Sequence, residues 1–83
     1  MKTYRATSMR YADVADVMYV LLKDDADLSV AHRIEDTPSG ASVMYDGSGA
    51  AVGVEIYDFS EKISDKAGVI KIDAARPFMV AYN

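Results

Sequence analysis

The 83-residue sequence predicts one mainly β (α+β) domain: an antiparallel β meander with a short helix after the fifth strand and a C-terminal strand. Three observations carry this. Short apolar runs alternate with turn signals at roughly 8–12-residue spacing, as in a meander. Asp46-Gly47-Ser48-Gly49 separates two strand-like runs, and Asp-Gly in that position is a strong hairpin signal. A chain this short buries only about 60% of the surface its unfolded form exposes, which leaves room for one core and makes residues 1–83 a single domain.

A first strand is predicted to end near Met9-Arg10-Tyr11, and a polar connection through Asp13 and Asp16 leads into Val17-Met18-Tyr19-Val20-Leu21-Leu22. That run is apolar on both faces, which places it inside the sheet. After a loop over 23–27, residues 30–36 alternate. Val30, His32 and Ile34 are expected on the apolar face, with Ala31, Arg33 and Glu35 toward water. Thr37-Pro38-Ser39-Gly40 is a turn, and the hairpin strands follow as Ala41 to Tyr45 and Ala51 to Tyr57. Residues 58–68 offer an N-cap serine (Ser60), an early acid (Glu61) and a terminal glycine (Gly68), so one or two helical turns are expected. Residues 69–73 and 78–82, separated by Pro77, read as the last strands.

Hydrophobic content of 51% against 27% charged residues is that of an ordered chain. With no cysteine, disulfides, thiolate zinc sites and cysteine nucleophiles are excluded. The first residues hold no apolar leader, so neither a signal peptide nor a membrane span is expected, and the location expected is cytoplasmic.

The net charge of −4 is unevenly spread. Residues 1–11 carry Lys2, Arg5 and Arg10 without an acid. Residues 12–61 carry eleven acids against Lys23 and Arg33, a block of −9, and residues 62–83 return to +2. Phosphate backbones and anionic membranes are read by clustered Lys and Arg, so direct nucleic-acid and membrane binding are not expected. A basic protein or nucleoprotein complex is the partner the charge suits.

Arg10-Tyr11, Ala15-Asp16, Met18-Tyr19-Val20, then Tyr45-Asp46-x-x-Gly49 and Val52-Gly53-Val54-Glu55-Ile56 form a pattern. Over about residues 10–60 it resembles the small prokaryotic domain of unknown function 2283 family. Ala12 stands where that family usually has aspartate, and residues 62–83 have no counterpart in it. The resemblance implies a compact antiparallel sheet with a short helix and no assigned activity; relatives often look like partners of small toxin-like proteins.

No catalytic constellation is found. His32 is the only histidine, which excludes a histidine-based triad or multi-histidine metal site within one chain. Asp25-x-Asp27-x-Ser29 with Asp36 echoes a calcium loop, but valine replaces its turn glycine and aspartate its bidentate glutamate. Neither metal nor cofactor is expected. Asp46-Gly47-Ser48-Gly49 lacks the lysine and helix of a phosphate loop. Asp16 is expected to bond turn amides, and Glu55 to pair with Arg10 or Arg33 across the sheet.

The acids Asp24, Asp25, Asp27, Glu35, Asp36, Asp58 and Glu61 form the expected partner-binding set. The leading reading is a non-catalytic module that binds and inhibits a basic partner, as an antitoxin does. The alternatives are a phage-type inhibitor that mimics nucleic acid, as some anti-CRISPR proteins do, a small-ligand-binding domain on Glu55, His32 and the tyrosines, or a structural subunit. An edge strand and exposed aromatics, expected among Tyr4, Tyr57, Phe78 and Tyr82, leave a homodimer open.

Overall fold

The computed structural model describes residues 1–24, 31–62 and 68–82. Among these residues eight strands form two sheets: β1 (Lys2–Arg5), β2 (Ser8–Ala12), β3 (Val17–Leu21), β4 (Arg33–Asp36), β5 (Ala41–Tyr45), β6 (Ala51–Tyr57), β7 (Val69–Ile72) and β8 (Phe78–Ala81). The larger sheet is antiparallel with order β2-β3-β6-β5-β4, and the smaller has order β1-β8-β7.

The class is therefore mainly β, with three corrections. The large sheet is not a simple meander, because β6 returns to lie between β5 and β3, as in a Greek key. The small sheet is mixed: β7 and β8 are antiparallel, but β1 runs parallel to β8 with Lys2 opposite Phe78 and Arg5 opposite Ala81. The expected helix is a single 3-10 turn, Phe59–Glu61, and no α-helix occurs among the described residues; 63–67 lie outside them. Ser60 is not its N-cap. Asp58 holds that position with left-handed backbone (φ 50°) and no side-chain cap, while Ser60 bonds Asp16 instead. Nor is any described helix long and apolar enough to cross a membrane.

Strand alternation explains the core. Val20, Val43, Val54 and Ile56 point from one face of the large sheet and are almost fully buried. They meet Ile72, Phe78 and Val80 from the inward face of the small sheet in one hydrophobic cluster. The sheets thus stack as two layers around a shared core. As expected, β3 is interior, flanked by β2 and β6. A bulge between Met44 and Tyr45 shifts the β5–β6 register, so Ala51 rather than Val52 lies opposite Tyr45.

β4 has the opposite facing to the one its alternation predicts. Ile34 is 61% exposed and His32 is exposed, whereas Glu35 is half-buried. Pairing of Arg33 with Tyr45 and of Glu35 with Val43 fixes this facing. Two polar contacts hold it there: Arg33 lies over the Tyr45 ring at 4.0 Å, and the Tyr45 hydroxyl donates to Glu35 at 2.7 Å. At the rim of a sandwich, these contacts outweigh burial of one isoleucine.

Candidate functional site

A concavity lies where the two sheets part at one end, a cleft of about 820 Å³. Lys2 and Tyr4 enter it from β1, Arg33 and Glu35 from β4, Tyr45 from β5, and Arg76 from the β7–β8 connection; the Ser48-Gly49 turn borders it. Lys2 Nζ sits 4.5 Å from the Tyr4 ring centre, so each of two cations rests on a tyrosine. Tyr4 in turn meets Phe78 edge-to-face at 5.1 Å. Glu35 is engaged at both oxygens, accepting from the Tyr45 hydroxyl and, at 2.7 Å, from the backbone N–H of Ala75. It thereby ties the edge of the large sheet to the small one. The hydrogen bond from Tyr45, then that from Ala75, hold the Glu35 carboxyl below its ordinary pKa, while burial and then Glu35 push the Tyr45 phenol up.

The hairpin turn beside the cleft has its own amides engaged. The N–H groups of Ser48 and Ala50 donate to Asp46 Oδ1, and that of Gly49 donates to the Asp46 carbonyl. It is a self-contained turn rather than a phosphate cradle, in keeping with its sequence.

The opposite face of the large sheet carries a polar row, Arg10-Tyr19-Glu55-Ser42-Asp36, with one residue from each strand in register. Within it, Ser42 donates to Asp36 at 2.7 Å, Ser42 and Tyr57 hydroxyls lie 3.1 Å apart, and Tyr57 donates to Glu55 at 2.9 Å. Ser42 favours the ionised Tyr57, but burial and Glu55 outweigh it and the phenol titrates above its ordinary value. Arg10 stacks on Tyr19 at 4.5 Å, so the pairing expected for Glu55 is supplied by Tyr57.

The acidic set is accordingly dispersed. Glu35 turns into the cleft, and Asp36, its neighbour, onto the polar row. Asp58 and Glu61 are exposed around the 3-10 turn that follows Tyr57, and Asp24 is exposed beyond β3. Asp25 and Asp27, with the calcium-like segment, lie outside the described residues.

Asp16 bonds an amide as expected, but one that is remote in sequence. With left-handed backbone (φ 54°), which aspartate tolerates, its carboxylate accepts from the Ser60 N–H (3.0 Å), the Ser60 hydroxyl (2.6 Å) and the Tyr11 hydroxyl (2.7 Å). Among the described residues no group of three or more His, Asp or Glu is arranged to hold a metal ion.

Among the described residues four carboxyls titrate below their ordinary range: Asp16 through Ser60 and Tyr11, Glu35 through Tyr45 and Ala75, Asp46 through Ser48, and Asp73 through Ser39, whose hydroxyl and N–H both donate to it. Each binds its proton more readily in the unfolded chain. Their contribution is complete above the ordinary carboxyl pKa of about 4 and is lost as pH falls through the lower folded values. The urea midpoint is therefore expected to fall as the pH is lowered from about 5 to about 2. A midpoint unchanged over that interval would show that these hydrogen bonds do not discriminate the ionised form.

No family model, curated protein or solved structure matches this chain.

Proposed function

We propose that the protein is a non-enzymatic interaction module that docks a basic partner protein on the open face of its large sheet. The observation that carries this reading is the polar row across all five strands, in which the buried Ser42 donates to Asp36 and Tyr57 donates to Glu55, fixing both carboxylates. Ile34 at 61% and Tyr57 at 38% exposure supply apolar area beside the two acids. Carboxylates already held in one geometry lose little freedom on binding, and their negative potential steers a cationic surface. Asp58 and Glu61 extend that charge beyond the end of β6.

The kinship with the domain of unknown function 2283 family belongs to the same proposal. It rests on the sequence pattern alone, two of whose residues, Tyr11 and Asp16, are hydrogen-bonded to each other.

The test is affinity capture from the native host, identification of the retained protein, and reconstitution with the purified partner. An Asp36→Asn/Glu55→Gln variant is expected to bind that partner roughly tenfold more weakly, mainly through slower association, with a shallower salt dependence. If the variant binds as the parent does, or if the retained partner is acidic on its contact face, the docking face lies elsewhere.

A further inference from the structure

The cleft between the sheets points away from the proposed docking face and has the opposite charge. Its cations come from three distant parts of an acidic chain. The parallel pairing of β1 with β8 sets Lys2 opposite Phe78 and so brings the basic start of the sequence beside Arg76, just ahead of β8. The inverted facing of β4 adds Arg33. Three cations then line a cleft that holds one carboxylate, Glu35, whose oxygens are engaged by Tyr45 and Ala75.

We propose that this cleft binds a small organic phosphomonoester, its phosphate held by Lys2, Arg33 and Arg76 and its organic body lying against the apolar wall at Pro77 and Ala51.

Three features select this class. The cleft carries two positive charges in excess of its carboxylate, and a phosphomonoester carries about −1.5 to −2 at pH 7, whereas a carboxylate carries only one negative charge. Arg33 lies over the Tyr45 ring at 4.0 Å on the wall of the cleft, and a guanidinium is the planar donor group that matches phosphate oxygens. The volume of about 820 Å³ lies within the range of small-molecule sites. Because the neighbouring turn amides are bonded to Asp46, recognition falls to the side-chain cations.

The test is an amide chemical-shift titration of the whole chain with phenyl phosphate, with phenylacetate and phenol as comparators. Phenyl phosphate is expected to shift residues of β1, the start of β4 and the segment 75–78. Phenylacetate is expected to bind at least roughly tenfold more weakly, and phenol not to bind detectably. Arg76→Gln, at an exposed position, is expected to weaken phenyl phosphate roughly tenfold, and Arg33→Gln/Arg76→Gln to abolish the shifts while thermal unfolding by circular dichroism stays cooperative. Equal affinity for phenylacetate, shifts spread over Lys23, Lys62 and Lys71 instead, or an Arg76→Gln chain that binds like the parent would overturn the assignment. None of these outcomes bears on the docking face.

Discussion

Phe78→Ala is expected to destabilise the protein by about 3–5 kcal/mol, the range for removing a buried phenylalanine ring. Phe78, expected from the sequence among the exposed aromatics, is instead only 4% exposed; it belongs to the cluster that joins the two sheets and meets Tyr4 edge-to-face at 5.1 Å. The side chain is large, and the small sheet has only Ile72, Val80 and partly buried neighbours such as Tyr4 and Ile70 to close over the void. A whole domain is stable by about 5–15 kcal/mol, and one this small sits toward the low end. The variant should therefore be partly unfolded at 37 °C, with its urea midpoint sharply reduced. A loss below about 1 kcal/mol would mean that the sheets are not held together through this ring.

Gly40→Val should have the next largest effect, about 1–3 kcal/mol, for a different reason. Gly40 has φ +92°, where a β-branched residue is strained, and a Cβ there would lie 3.0 Å from Lys62 Nζ. The strain falls on a junction. The Gly40 carbonyl accepts from the Tyr57 N–H at 3.0 Å and from Lys62 at 3.3 Å, tying the β4–β5 turn to the end of β6. Gly47→Ala is the internal control, because nothing lies within 4 Å of its Cβ position and its φ is not positive. It should change stability by less than about 1 kcal/mol. Equal urea midpoints for the two variants would refute the backbone argument.

Local signals in the sequence located the elements that local physics determines. The Asp-Gly turn and its flanking alternation gave β5 and β6 with the bounds observed, and an apolar run on both faces identified β3 as interior. Non-local pairing decided the rest. Lys2-Thr3-Tyr4-Arg5 is short and polar, and becomes a separate strand because β8 supplies a partner at the other end of the described chain. In β4 the period of two was legible but its phase was not, because the phase depends on Tyr45 and on the Ala75 amide, neither of them local to residues 33–36. That phase also divides the acidic block. Glu35 and Asp36 are adjacent in sequence and face opposite sides of the sheet, so a linear run of charge became two surfaces. The basic ends of the chain were visible as charge; only the parallel pairing shows that they meet.

The parallel pairing has a consequence for assembly. The hairpins β2–β3, β4–β5, β5–β6 and β7–β8 each join sequence neighbours, but β1–β8 joins segments at opposite ends of the described chain. Ordering the intervening chain costs entropy before that contact is made, and topologies dominated by such contacts fold in milliseconds to seconds rather than microseconds. β1 is therefore expected to dock after the hairpins have formed. Until it docks, β8 is an open edge, and a newly made chain exposes beside it the surface that can pair with a second copy.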